Sequence, residues 1–419
     1  MTLQRSWVAS ANQPDCDFPL NNLPCGVFSF GEDEPRCGVA IGDMILDVTA
    51  LEDVGILKVS DEPVLDVPFW NDFMELGPEA WSQFRKAVKE LLAEGSAHRG
   101  EVEPFLVPME GAEMLLPFLV SEYTDFYAGR NHAFNVGSMF RDPANALPPN
   151  WLHIPIGYNG RASSVVVSGT DVRRPWGQIK GPDFPAPIFA PSRRFDIELE
   201  MGAVVGRASE GMVSVADADE MIFGYVLLND WSARDIQAWE YQPLGPFQAK
   251  ATATTISPWI VMKEALEEFR VSTPAREVPL LPHLEEPGPL LYDIALEVGL
   301  SPLGGEETVI ARTNYREMYY SAAQQLCHHT TSGCPMNVGD LLGSGTISGP
   351  TKSERGSLLE LSWGGKEPFE IKGGTRSFVE DGDRLTLRGH AQGNGYRIGF
   401  GDCSGTVIPA HADPVGAGR

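Results

Sequence analysis

Seven consecutive residues, Phe195-Asp196-Ile197-Glu198-Leu199-Glu200-Met201, alternate apolar and acidic side chains. Along a strand successive side chains point to opposite faces, so Asp196, Glu198 and Glu200 share one face at spacings of about 7 Å. Three carboxylates that close repel one another unless they are solvated, protonated or share a cation. The pattern therefore fits an edge strand with a solvated acidic face, or a hard-cation site. Carboxylate oxygens without His or Cys suit Mg2+ or Ca2+. Asp230 stands where the apolar run 222–229 meets Asp230-Trp231-Ser232-Ala233-Arg234. That position serves an ordinary helix N-cap as well as an active-site acid. On the helix expected over 230–241, Arg234, Gln237 and Tyr241 fall on one face, as site groups or as a solvated polar face. If 123–132 is helical, Asp125 and His132 also face the same way. A histidine beside a carboxylate is a general-base candidate, although a hydrogen-bonded structural histidine reads the same.

Other familiar arrangements fail. There is no Gly-x-Ser-x-Gly elbow and no His-Glu-x-x-His zinc helix. The glycines of Gly393-Asn394-Gly395-Tyr396-Arg397-Ile398-Gly399 are wrongly spaced for a dinucleotide fingerprint. Cys327-His328-His329 with Cys334 resembles a soft-metal cluster but lacks a second pair at zinc-finger spacing, so a structural role is expected.

The elements that must position these residues are mostly extended. The 44 Gly and 33 Pro punctuate short runs throughout the chain. Residues 37–41 and 44–48 are apolar runs joined by Gly42-Asp43, a hairpin signal. Trp81, Phe84, Val88, Leu91 and Leu92 form a helical stripe, with Pro78 near its start and Gly95 past its end. A polar stretch over 94–103 follows, and the domain boundary is expected between about 95 and 118. Beyond it, 163–168, 195–205, 222–229, 293–299, 358–363 and 384–388 read as strands, and 230–241 and 315–329 as helices. The fold class is mainly β with some α.

The 419 residues carry 57 Asp and Glu against 32 Lys and Arg, a net charge of −25. Such a surface repels phosphate backbones, and no basic run overrides it, so nucleic acid is excluded as a partner. No apolar run approaches the roughly 20 residues of a spanning helix. Residues 1–10 carry no apolar segment, so no secretory signal is expected. Six cysteines in so long a chain do not form a disulfide framework. The expectation is a reduced, soluble, cytoplasmic protein with no membrane partner.

Taken together, the segments resemble the fumarylacetoacetate hydrolase family. The likeness rests on Asp125-Phe126-Tyr127, Pro149-Asn150-Trp151-Leu152-His153, residues 160–169, Leu199-Glu200-Met201, residues 229–237 and residues 343–350, and extends over almost the whole chain. It implies a small N-terminal SH3-like barrel, residues 1–116, and a large C-terminal mixed β-sandwich roll, residues 117–419, assembled as a homodimer. It implies metal-dependent hydrolysis of the carbon–carbon bond of 4-fumarylacetoacetate to fumarate and acetoacetate, the last step of tyrosine and phenylalanine (homogentisate) catabolism.

The family's metal site maps to Asp125, Glu198, Glu200 and Asp230, with Lys250 and Thr254 at a secondary cation site. Its general base maps to His132, oriented by Glu360. Substrate contacts map to Tyr127, Arg141, Tyr158, Gln237, Tyr241 and Thr346, and oxyanion donors to Arg234, Gln237 and Lys250. Asn159 and Ala253 depart from the family's usual His and Gly, and Asp196 matches no family ligand and is expected to be structural. Sibling reactions on related keto acids, decarboxylation or isomerisation, are the alternative within the superfamily. A catalytically silent metal binder would have lost part of this set. A glycoside hydrolase fits the close Glu198/Glu200 pair less well than a shared cation does.

Overall fold

A computed structural model describes residues 2–413 and 416. The first layer is an antiparallel meander. Strands Arg36–Ile41 and Met44–Asp47 pair through Ile41 and Met44, and Gly42 makes the turn between them at φ +63°, a conformation that disfavours a side chain. Cys25–Ser29 joins the other edge of Arg36–Ile41. The chain then leaves for helix Pro78–Leu92, whose Trp81, Phe84, Val88, Leu91 and Leu92 are buried as the stripe requires. It returns as Leu106–Pro108 beside Met44–Asp47 and Glu113–Leu115 beside Cys25–Ser29, completing five strands.

The middle layer is an eight-stranded mixed sheet. Its order is Gly157–Asn159, Tyr123–Phe126, Leu341–Gly343, Leu199–Val205, Ile222–Asp230, Thr254–Ile256 and Val165–Val167, with Val261–Met262 also pairing Ile222–Asp230. The third layer is a six-stranded sheet ordered Thr308–Asn314, Ala295–Ser301, Arg384–Gln392, Cys403–Ile408 and Val172–Arg173, with Arg397–Gly399 beside Arg384–Gln392. The fold is thus mainly β, a small N-terminal layer followed by a large β-rich unit.

Both faces of the middle sheet are covered. Val204, Phe223, Val226, Leu228, Ile256 and Leu341 join the core beneath the N-terminal layer, while Ala203, Tyr225, Leu227, Leu342 and Met201 join the core beneath the six-stranded sheet. Every residue of Leu199–Val205 and Ile222–Asp230 is consequently buried. Two covered faces replace the alternation of a half-exposed sheet with near-continuous burial. The solvated edge strand therefore falls away as a reading of 195–201.

Local expectations are corrected in five places. Residues 195–205 are not one strand: Phe195–Asp196 pairs with Ser232–Ala233 in a separate two-stranded sheet, and only Leu199–Val205 belongs to the middle sheet. Residues 123–132 are not one helix: Tyr123–Phe126 is a strand and Arg130–Phe140 a helix, with Gly129 between them. Asp230 ends its strand, and the following helix is Arg234–Glu240. Residues 358–363 hold helix Leu358–Leu361 rather than a strand, because a short apolar run fits a buried helix turn equally well. The helix expected over 315–329 divides into a turn at Tyr315–Glu317 and helix Ala322–Thr330, which starts at a Ser321/Gln324 capping box. All six cysteines are free, and among the described residues no helix is long and apolar enough to cross a membrane.

Candidate active site and metal centre

Strand periodicity gathers the acids. Glu200 lies on the face that carries Val204, Asp230 on the face of Val226 and Leu228, and Asp125 on the face of Tyr123, all of them side chains of the core under the N-terminal layer. Register then aligns the rows: Asp125 lies opposite Gly343, and Asp230 opposite Thr254. Gly343 leaves these groups room, since a Cβ there would stand 3.0 Å from both Glu200 Oε2 and the Tyr123 hydroxyl. Glu198 arrives from just outside the strand, held by a bridge to Ser357 and by the Asn229 side chain, which accepts its N–H at 3.2 Å. Asp125, Glu198, Glu200 and Asp230 each offer an oxygen within 4.8 Å of the others, and all four are buried.

Their hydrogen bonding is incomplete. The Tyr158 hydroxyl donates to Asp125 Oδ2, the Gly345 N–H donates to Glu200 Oε2 at 2.9 Å, and Lys250 Nζ donates to Asp230 Oδ2. The second oxygens, Asp125 Oδ1, Glu200 Oε1 and Asp230 Oδ1, are buried without a partner, as is Thr254 Oγ1. Buried acceptors left unpaired are costly, so such a set is organised for something that completes it. Burial first, and then the neighbouring carboxylates, push the carboxyl pKa values of Asp125 and Glu200 well above the ordinary range. Burial raises that of Asp230 as well, against the opposing pull of Lys250. An all-oxygen donor set of high charge fits a hard divalent cation.

Two side-chain cations partly balance the acids. Lys250 Nζ lies 2.5 Å from Glu198 Oε2 and also binds Asp230. Arg234 Nη1 lies 2.7 Å from Glu198 Oε1, and Arg234 Nε donates to Asp196 Oδ2 at 2.8 Å. The resulting attraction outweighs burial at Glu198 and holds its carboxyl pKa far below the usual range. An ammonium donates only, so the Lys250 side chain neutralises the cluster here rather than ligating a cation.

Next to the acids stands the histidine. His132, on Arg130–Phe140, makes a 2.6 Å contact from Nδ1 to Glu360 Oε2. Glu360 is fully satisfied: Oε2 also accepts from Ser348 and Ser357 at 2.9 Å each, and Oε1 from Asn135 Nδ2 at 2.8 Å. His132 and these donors outweigh burial and lower its carboxyl pKa. An ionised Glu360 assigns the proton to Nδ1 and leaves Nε2 as a lone-pair acceptor, 3.9 Å from Glu198 Oε1. The Tyr127 ring packs edge-on against His132 at 5.6 Å between centroids.

Most residues named from the sequence converge here, and two stand at the rim. Gln237 Oε1 accepts from Arg234 Nη1 at 3.2 Å, and Thr346 follows the glycine that binds Glu200, with its own Oγ1 buried and unpartnered. Arg141 is exposed, its guanidinium donating to the Asn145 and Ala146 carbonyls, yet it lies close enough to ease the burial-driven rise in the Tyr127 phenol pKa. Tyr241 is 45% exposed, and its hydroxyl accepts from Gln242. Sequence reading missed Asn135, Ser348 and Ser357, the donors that complete Glu360. Only Asn135 carried a local signal, lying one helical turn beyond His132. Cys327, His328, His329 and Cys334 form no metal cluster among the described residues.

Comparison with known proteins shows the family of the chain. Residues 21–117 match the fumarylacetoacetase N-terminal family model, and residues 122–408 match the fumarylacetoacetate (FAA) hydrolase C-terminal model. The fumarylacetoacetase of Homo sapiens is 48% identical, over 94% of this chain and 97% of its own length. That of Dictyostelium discoideum is 46% identical over 98% and 99% respectively. In fold, the chain resembles the solved fumarylacetoacetate hydrolase of Exiguobacterium antarcticum, with a TM-score of 0.54 at 16% identity over 93% of this chain and 100% of that one. With family models over nearly its whole length and close relatives of equal size, the chain belongs to the fumarylacetoacetase family.

Proposed function

We propose that the protein hydrolyses the carbon–carbon bond of fumarylacetoacetate to fumarate and acetoacetate, with a divalent cation, Ca2+ or Mg2+, held by Asp125, Glu198, Glu200 and Asp230. The observation that carries the reading is the set of unpartnered buried oxygens on Asp125, Glu200 and Asp230 beside the His132–Glu360 pair. Relatives of matching length that bear the fumarylacetoacetase name support the choice of substrate. When bound, the cation supplies Lewis-acid polarisation of the substrate's keto oxygens.

The chain's own groups account for the remaining steps. His132 Nε2 takes a proton from the attacking water, and Glu360 holds the tautomer that makes this possible and stabilises the imidazolium. Arg234 Nη2 is a buried donor without a partner, suited to the negative charge that develops on the attacked carbonyl. A preorganised donor of this kind is worth about 3 kcal/mol in the transition state. Gln237 and Lys250 hold that guanidinium and the acids in place. Cleavage leaves the acetoacetate carbon as an enolate, which regains one proton. Water thus supplies the hydroxyl of the new fumarate carboxyl and the proton of acetoacetate. Tyr127, Tyr158, Arg141, Tyr241 and Thr346 are assigned to the substrate's remaining length, and Thr254 to the cation side of the site.

The reading also includes a division at 116/117, residues 1–116 and 117–419, and a cytoplasmic homodimer. Family likeness supports the division and the homodimer, and six free cysteines fit a reducing compartment. The test is the decay of fumarylacetoacetate absorbance with the products identified, before and after chelation. Cation-dependent fumarate and acetoacetate sustain the reading. Loss of carbon dioxide, or isomerised substrate, moves it to a sibling reaction.

A further inference from the structure

Asp196 is fully buried and is not one of the four clustered acids. Its Oδ1 accepts from the N–H groups of Ile197 and Leu358, each at 2.8 Å. Its Oδ2 accepts from Leu359 N–H at 2.9 Å and from Arg234 Nε at 2.8 Å. Apart from the adjoining Ile197, the donors belong to two separate arms of the site. Leu358 and Leu359 open the four-residue helix that presents Glu360, and Arg234 opens helix Arg234–Glu240.

So short a helix has no internal acceptors for its first N–H groups. Asp196 takes two of them, and Ser357 Oγ takes the third, from Glu360 itself at 3.3 Å. On the other arm, Asp196 and Glu198 grip two nitrogens of the same guanidinium, Nε and Nη1, and leave Nη2 as the unpartnered donor. Only a carboxylate suits this place, because both of its oxygens face donors alone.

We propose that Asp196 is a positioning residue that locks the His132–Glu360 pair and the Arg234 guanidinium into one geometry, so that proton removal and oxyanion stabilisation are aligned on the same substrate carbon. The proposal rests on the hydrolase reading. Asp196→Asn is nearly isosteric and keeps acceptance at one oxygen, but it turns an N–H toward Leu359 N–H and Arg234 Nε.

The experiment measures kcat, KM and the affinity for Ca2+ alone in the full-length variant, together with double variants pairing Asp196→Asn with Arg234→Ala and with Glu360→Gln. A misplacement of reacting groups by about 1 Å costs roughly a hundredfold. The expected result is a loss of that order in kcat, with KM and Ca2+ affinity at their wild-type values. Each double variant should lose less than the product of its two single losses, because one anchor serves both arms. An unchanged kcat, multiplicative losses in both pairs, or Ca2+ affinity falling in step with kcat would each overturn the proposal. Should Asp196→Asn not fold, Asp196→Glu keeps the charge on Arg234 while displacing the carboxylate from the helix, and the same split decides. Failure of the hydrolase reading would show instead as wild-type protein that leaves fumarylacetoacetate intact.

Discussion

Two sets of buried carboxylates meet at one site, and they are built differently. Asp125, Glu200 and Asp230 stand on the rigid middle sheet, each with one oxygen bonded and one bare. Glu360 and Asp196 lie at or beside a four-residue helix, and both oxygens of each are occupied by donors. Environment shifts them in opposite directions, raising the carboxyl pKa in the first set and lowering that of Glu360 in the second. A satisfied buried acid fixes other groups in place. An unsatisfied one waits for a ligand. On the proposed reading, the sheet side would hold the cation and the helix arm would aim the proton acceptor.

Breaking the sheet side should have the largest effect. Glu200→Ala removes a ligand and is expected to abolish both turnover and divalent-cation affinity, read by product formation and cation titration. On the helix side, Glu360→Gln should lower kcat by about a hundredfold or more while cation affinity stays intact, since a general base contributes roughly 10²–10⁴. Loss of cation affinity in Glu360→Gln would erase the distinction between the two sets.

The contrast also has a pH signature in metal-stripped protein. The raised acids contribute stability that is fully present below the ordinary carboxyl range near 4 and is lost as pH rises through their folded values. Glu360, lowered in the fold, contributes stability that is present above that range and lost as pH falls through its folded value. Thermal melts should therefore show Glu200→Gln gaining on wild type toward neutral pH in the presence of chelator, and losing that advantage when Ca2+ is restored. Glu360→Gln should show no such gain. The smallest effect is expected from Gly343→Ala, which crowds Glu200 Oε2 and should weaken cation affinity several-fold with the fold retained.

How much of this was legible follows from distance along the chain. The alternation over 195–201 announced Glu198 and Glu200 as neighbours, because period two is a local property. It could not separate a solvated face from a buried one, because burial comes from two other layers of the fold. Asp230 at a strand end was legible for the same local reason. Asp125 and His132 were read as one helical face, yet they come together across a strand, Gly129 and a helix turn. Glu360 lies 228 positions from His132, and no spacing rule joins them; family likeness did. By alternation Asp196 looked like one more acid of the row; family likeness set it aside as structural, and the Leu358 and Leu359 N–H groups show what it holds.

The most direct test of the contrast is a calorimetric titration of metal-stripped protein with Ca2+ in three forms: wild type, Glu200→Ala and Glu360→Gln. The account predicts one cation bound per chain in wild type, the same in Glu360→Gln, and none in Glu200→Ala. Wild-type binding by Glu200→Ala would contradict it, because the bare oxygens of the sheet would then not be what holds the cation.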